Sequence, residues 1–283
     1  MASFTNFATL SYNGGTTNSN IVTGEILEAL TAVKTAVSAN YSAGDRITYA
    51  LSLVNTGTAA ITDYTVTDNL GGYTVGANTV YPLAYNAGTV RYYINGVLQT
   101  APTVTAGPPL TVTGLTVPAG GSAVLIYETT ATPVAPLATG SSITNTATIT
   151  GGGLTNPITA QATVETANSA DLTISKALSP TTVTENGQIT YTFVISNTGN
   201  TEATAADNVV VTDTFDPILR NIAVTYNGTA WTEGTNYTYN TATGVFTTLA
   251  GQITVPAATF TQNTDGTFTV TPGTATLVIT GTV

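Results

Sequence analysis

Two long segments of this 283-residue chain repeat each other, and the duplication constrains the fold more than any other feature. Residues 46–57, RITYALSLVNTG, match residues 188–199, QITYTFVISNTG. The match extends upstream, where LTAVKTAVS at 30–38 corresponds to LTISKALS at 172–179. A chain built from two copies of one sequence unit is expected to fold as two similar domains.

The composition of both copies favours strands. Charged residues make up only 7% of the chain, and runs of Thr, Val, Ile and Tyr are separated by turn dipeptides. These hairpin signals are Asn95-Gly96, Asn227-Gly228 and Asp265-Gly266. We therefore predict an all-β protein of two tandem antiparallel β-sandwiches with almost no helix.

A third repeated segment lies in an unexpected place. SITNTATIT at 142–150 ends the first copy, and its counterpart SFTNFATLS stands at 3–11, before any domain has begun. Alternate residues of a strand share one face. The faces so formed are Ile143, Asn145, Ala147 and Ile149 in one segment and Phe4, Asn6, Ala8 and Leu10 in the other. We interpret residues 3–11 as a closing strand donated to another domain.

This interpretation divides the chain into five parts. The second copy has no counterpart of the Asn145 strand after Ile279, so its sandwich is expected to expose an open edge. The predicted parts are an N-terminal donor strand at 1–12, a linker at 13–27, a first β-sandwich at 28–150, a linker at 151–170, and a second β-sandwich at 171–283 that lacks its last strand.

The chain has only two lysines, Lys34 and Lys176, and they occupy the same position in the two copies. By strand parity both point to the apolar face, as do Asp68 and Asp213 in a later repeated strand. Because lysine is rarely buried without a partner, each domain is expected to hold one inward Lys, Asp and Asn.

With these pieces the sequence resembles the bacterial surface repeat family known as domain of unknown function 11, and more loosely the immunoglobulin-like domains of Gram-positive pilins and adhesins. The lysine strand, the Asn-Thr-Gly strand, the Val-Thr-Asp strand and the Asn-Thr-Ala-Thr strand carry the resemblance. It implies immunoglobulin-like sandwiches and spontaneous Lys–Asn isopeptide bonds. The implied bonds are Lys34 to Asn145 assisted by Asp68, and Lys176 to Asn6 of the next subunit assisted by Asp213.

The residue types suit that chemistry. A desolvated lysine amine is neutral and nucleophilic, and a buried carboxyl can shuttle a proton while ammonia leaves. The reaction happens once per site, so the protein is not expected to be an enzyme. The alternative is that Lys, Asp and Asn only satisfy one another by hydrogen bonds and an ion pair.

The function predicted from these features is that of a structural filament subunit. It would polymerise head to tail by placing residues 3–11 into the second domain of the next copy. The alternative is a monomeric adhesin or ligand-binding module whose N-terminal strand folds back on its own second domain. The expected location is extracellular, on a cell-surface or spore-surface appendage, although the N-terminus has no secretion signal.

Composition argues against other partners and cofactors. A net charge of −10 disfavours nucleic acid and anionic membranes, and no apolar run is long enough for a membrane span. The chain has no histidine, no cysteine and no phosphate-binding loop, so we expect no cofactor and no catalytic metal. Acidic loops at Asp63 and at Glu202 and Asp207 suit calcium in residue type but lack a regular ligand spacing.

Overall fold

A computed structural model describes residues 2–26 and 29–283. Apart from one 3-10 turn, the regular structure of these residues is all strand, and every named strand pair is antiparallel. The predicted fold class is confirmed. Contacts divide the chain into one unit of residues 1–135 and 142–165 and a second unit of residues 136–141 and 166–283.

Residues 2–26 form a β-hairpin. Its strands are β1 (Ala2–Asn6), β2 (Thr9–Tyr12), β3 (Gly15–Asn18) and β4 (Val22–Ile26). β1 pairs with β4, and β2 pairs with β3 around a turn at Gly14. None of the four pairs with any other described strand.

The first unit is a sandwich of two sheets. One sheet has the order β13-β12-β16-β7-β5 with β11 added to β16, and the other has the order β14-β15-β8-β17-β18-β6; β9 and β10 form a separate hairpin. The strands are β5 (Leu30–Ala36), β6 (Asn40–Tyr41), β7 (Arg46–Asn55), β8 (Ile61–Asp68), β9 (Tyr73–Val75), β10 (Asn78–Val80), β11 (Leu83–Tyr85), β12 (Arg91–Ile94), β13 (Val97–Leu98), β14 (Thr103–Thr105), β15 (Leu110–Val117), β16 (Ser122–Ala131), β17 (Ser142–Gly151) and β18 (Ile158–Thr166).

The second unit has fewer strands facing its main sheet. A five-stranded sheet, β19-β20-β28-β22-β23, faces a three-stranded sheet, β21-β25-β24, and β26 pairs with β27. The strands are β19 (Leu172–Ser179), β20 (Gln188–Asn197), β21 (Thr212–Thr214), β22 (Arg220–Tyr226), β23 (Thr229–Trp231), β24 (Tyr237–Asn240), β25 (Val245–Thr248), β26 (Thr259–Gln262), β27 (Phe268–Thr271) and β28 (Gly273–Thr282), with the 3-10 turn at Ala205–Asp207.

Strand alternation explains both cores. Strand β7 buries every second residue from Ile47 to Asn55, and β28 buries Ala275, Leu277 and Ile279 in the same way. Repeat positions therefore occupy equivalent strands. β5 corresponds to β19, β7 to β20, β8 to β21 and β16 to β28.

The structure differs from the two predicted linkers. The stretch 13–27 contains β3 and β4, and the stretch 151–170 contains β18. The glycines at 14–15 and 151–153, interpreted as linker starts, are turns from which the chain returns antiparallel to the strand it has just left. The predicted boundary at residues 27 and 28 lies outside the described residues. The predicted strand 3–11 is interrupted at Phe7 and Ala8.

Candidate functional site

The first repeat contains a buried ion pair. Lys34 on β5 donates to Asp68 at the end of β8, with Nζ and Oδ2 2.5 Å apart and both side chains at most 1% exposed. The Tyr127 hydroxyl donates to the same Oδ2, and the Leu70 N–H donates to Oδ1 at 2.9 Å. The Lys34 Nζ also lies 4.8 Å from the centre of the Tyr49 ring. The carboxyl thus joins the two sheets at one point in the core.

Burial shifts the protonation equilibrium of this lysine. It lowers the pKa of Lys34 to about 8, because desolvation of the ammonium outweighs the opposing effect of Asp68. Burial also raises the pKa of Tyr127 and of Tyr49 well above the usual range, so both hydroxyls keep their protons. A neutral amine is therefore accessible near physiological pH, which a nucleophilic lysine requires.

Asn145 on β17 belongs to the same buried cluster. Its residue is 0% exposed, and in the strand register it stands two positions from Ala147, which pairs with Asp68. Neither Nδ2 nor Oδ1 makes a hydrogen bond of normal geometry, although the amide acts electrostatically on the hydroxyls of Tyr49 and Tyr127. The Asn145 amide therefore lies among the two tyrosine hydroxyls that surround the Lys34–Asp68 pair.

The second repeat holds the same pair in a different environment. Lys176 on β19 donates to Asp213 on β21, again at 2.5 Å, but the two side chains are 40% and 19% exposed. Nζ lies 4.5 Å from the centre of the Tyr191 ring. The register position of Tyr127 is taken by Ile279, so the phenol that donates to the carboxyl in the first repeat has no equivalent.

Missing strand neighbours explain this exposure. In the first unit β8 is held between β15 and β17, whereas among the described strands β21 pairs with β25 alone. On β19, Ile174 is 55% and Leu178 39% exposed, so the apolar face around Lys176 lies open. That the second domain is completed by a further strand stays a prediction.

The structure places the remaining predicted site residues on the hairpin formed by residues 2–26. Phe4 is 54% exposed, Leu10 is also largely exposed, and Asn6 pairs with Val22 on the return strand. Ala8 accepts a backbone bond from Ser19. Asn6 and Lys176 are therefore not in one site of the single chain, whereas Lys34, Asp68 and Asn145 are.

Sequence reasoning missed two sets of residues at these sites. The tyrosines 49 and 127 were not singled out, although their position beside a predicted inward lysine was a signal. The asparagine of each Asn-Thr-Gly motif is also buried, and it bonds the loops of its own unit: Asn55 Nδ2 donates to the carbonyls of Ala59 and Pro118, and Asn197 Nδ2 to those of Thr201 and Pro256.

The acidic loop that contains Asp207 has a structural role. The Asp207 carboxylate accepts the backbone N–H and the hydroxyl of Thr204, which lowers the pKa of Asp207 and caps the 3-10 turn. No group of three or more metal-ligating side chains comes together in the described part of the chain. No helix within residues 2–26 and 29–283 has the length and apolar character needed to span a bilayer.

Comparison with known proteins gives structural likeness only. No protein-family model matches the chain, and no curated protein matches it. Among solved structures it is similar to the major pilin subunit of Bacillus cereus, at 14% identity and a TM-score of 0.35, over 96% of this chain and 73% of that one. It is also similar to the pilus backbone protein of Streptococcus pneumoniae, at 11% identity and a TM-score of 0.34, over 86% of this chain and 55% of that one.

A third likeness is to the N-terminal domain of a Streptococcus gordonii adhesin, at 14% identity and a TM-score of 0.36, over 48% of this chain. The match spans 32% of the adhesin's chain. Identities and TM-scores this low do not extend the roles of these proteins to this chain. The resemblance to domain of unknown function 11 stays a prediction.

Proposed function

We propose that this chain is the structural subunit of an extracellular filament and polymerises head to tail, with its N-terminal segment completing the second unit of the next copy. One observation carries the proposal. The same Lys–Asp pair, at the same 2.5 Å, is buried in the repeat that has an Asn-bearing strand and open in the repeat that lacks one.

The N-terminal segment has the chemistry that the open site lacks. It carries Asn6 between two large apolar residues, Phe4 and Leu10, as β17 carries Asn145 between Ile143 and Ile149. Burying the two apolar side chains contributes about 1.5–3 kcal/mol each, and each ladder hydrogen bond adds about 1 kcal/mol net. The cost of association and of ordering the segment offsets part of those gains, and docking remains favourable before any covalent step.

The burial of Lys34, Asp68 and Asn145 in the first repeat supports a covalent step. The Nζ lone pair attacks Cγ of the asparagine amide, an Nζ–Cγ bond forms, and the Cγ–Nδ2 bond breaks. One proton passes from Nζ through the aspartate carboxyl to Nδ2, which leaves as ammonia. The first repeat forms this bond within one subunit through Lys34 and Asn145, and the filament forms it between subunits through Lys176 and Asn6.

The test combines electron microscopy with boiling denaturing gels. Wild-type protein is expected to give long fibres and a ladder that survives boiling. Deletion of residues 1–12 abolishes the fibres, whereas Asn6→Ala leaves fibres that denaturant dissolves. Thr5→Ala is the matched control, since Thr5 alternates to the other face of the same strand.

The contrary results are equally defined. Wild-type protein that remains a monomer under all conditions refutes the filament and favours the adhesin or binding module. Fibres that persist after the deletion refute donation by the N-terminal segment. A boil-resistant ladder in Asn6→Ala refutes the Lys176–Asn6 bond.

A further inference from the structure

We infer that the donated element is the whole hairpin of residues 2–26, and that its return strand, β4, supplies a second strand missing from the acceptor. This inference rests on the proposed function and names the surface that the partner subunit fits. It replaces a single inserted strand on a free linker by a two-stranded insertion.

The first step is that hairpin 2–26 repeats the β17–β18 hairpin in register. Asn6 pairs with Val22 and Phe4 with Gly24, as Asn145 pairs with Ala162 and Ile143 with Val164. The residue paired with each asparagine is thus a small or medium apolar residue. Moving two residues back along the first strand moves the paired residue two positions forward in both hairpins. The hairpins diverge only nearer the turn, where the N-terminal one has one extra residue in its return strand.

The second step is what β18 does in the first unit. It buries Ala160, Ala162 and Val164 on the face it shares with Asn145. Its Glu165 N–H donates to the carbonyl of Ala39, just beyond β5, and β18 pairs with β6. Since β5 and β6 flank this edge of the sandwich, β18 closes the edge that β17 alone leaves open.

The third step is that the second unit lacks this closure too. By the repeat offset, residues 181–183 correspond to residues 39–41, yet they form no strand, whereas 40–41 form β6 beside β18. The counterpart of buried Tyr41 is Val183, which lines an open cavity of about 540 Å³ with Ile189, Pro217 and Val283. If the second unit needed only a counterpart of β17, residues 181–183 would be expected to form a strand as residues 40–41 do. Their lack of strand structure indicates that a counterpart of β18 is missing as well.

The fourth step concerns the hairpin itself. Val22 is 56% exposed although it stands opposite Asn6, and Ile21 beside it is also exposed. The Phe4 ring lies over Gly24, and a Cβ added to Gly24 would come within 2.4 Å of the Phe4 Cζ. The absence of a side chain at Gly24 thus makes room for the Phe4 ring. The hairpin is therefore preformed with an unpartnered apolar face on both strands, as a two-stranded insert requires. In the acceptor the backbone N–H of Glu25, the counterpart of Glu165, would donate to the carbonyl of Thr181.

The experiment uses single cysteines in the full-length chain, which has none of its own. In Val22→Cys the thiol is on the face turned to the acceptor, and in Thr23→Cys it is on the opposite face, like exposed Thr163. Monomer and filament of each variant are labelled with a maleimide. We expect labelling of Val22→Cys to fall at least about tenfold on polymerisation and that of Thr23→Cys to stay unchanged.

The possible results distinguish failure of the two-stranded insertion from failure of the proposed filament. Equal labelling of Val22→Cys in monomer and filament overturns the two-stranded insertion while the filament stands. Failure of Val22→Cys to polymerise where Thr23→Cys does so supports it, because only the inward face is then required. Failure of the wild-type chain to polymerise overturns the proposed function itself. As a second perturbation, Val22→Asp is expected to abolish fibres that Thr23→Asp still forms; fibres in both overturn the inference.

Discussion

Asn145→Ala separates the covalent and non-covalent interpretations of the first repeat by the sign of its effect on stability. If Lys34 is bonded to Asn145, the bond closes a loop of about 110 residues, and its loss costs about 4–5 kcal/mol in the chain-entropy treatment used for disulfides. For a unit of this size that is a fall in Tm of about 10–20 °C. If there is no bond, the substitution removes a buried amide that makes no hydrogen bond of normal geometry, so stability changes little or rises.

The assay is scanning calorimetry with mass spectrometry on the same samples. Trp231, the only tryptophan, lies in the second unit, so its fluorescence marks that unit's transition as an internal reference. Thr144→Ala, on the exposed face of the same strand, is the control and should change Tm only slightly. Each bond also removes one ammonia, about 17 Da, and a tryptic digest should join the peptide containing Lys34 to that containing Asn145. A wild-type chain of full mass, with Asn145→Ala as stable as wild type, would refute the bond.

Three further predictions concern the same unit. Tyr127→Phe removes the hydroxyl that donates to Asp68 and should slow bond formation in freshly synthesised chain about tenfold, followed by mass spectrometry; an unchanged rate contradicts a positioning role. The rate in wild type should rise with pH up to about 8 and level off above it, because the folded pKa of Lys34 is lowered and only the neutral amine reacts; a rate that falls over this range contradicts the assignment. Asn55→Ala leaves the carbonyls it bonds without that donor and should cost about 2–4 kcal/mol by calorimetry, whereas a near-neutral result contradicts the loop-bonding role.

The sequence predicted the parts that strand parity controls. Because a strand alternates strictly, an inward lysine and an inward aspartate could be placed in each repeat, and the structure brings Lys34 to Asp68 and Lys176 to Asp213. The repeat also predicts an open edge in the second unit, where the side chain of Lys176 is 40% exposed. Neither result required knowledge of loops or of packing between sheets.

The two predicted linkers differ from the structure because the conformation of a turn decides whether the chain continues forward or reverses. The glycines at 14–15 and 151–153 suggest linkers by sequence alone, whereas in the structure they lie in turns after which the chain returns antiparallel to the preceding strand. Weak alternation in Val22–Ile26, interrupted by a glycine, gave little strand signal. The role of Tyr127 was missed for another reason: its partner, Asp68, lies on the opposing sheet, and sheet-to-sheet contacts leave no periodic trace in sequence.

In the proposed filament, the exposure of Lys176 in the single chain places docking of the hairpin before any bond formation. In the first repeat the asparagine strand belongs to the same unit, so folding buries Lys34 and brings the amide to it in one event. In the second repeat the incoming hairpin would supply the burial that Lys34 already has in the first repeat. A hairpin docked one residue out of register would turn Asn6 to the solvent face and leave Lys176 unbonded, free to dissociate and dock again. In the proposed filament the covalent bond thus forms only where the hairpin has docked in the correct register. The exposed Lys176–Asp213 pair therefore selects for correctly docked subunits.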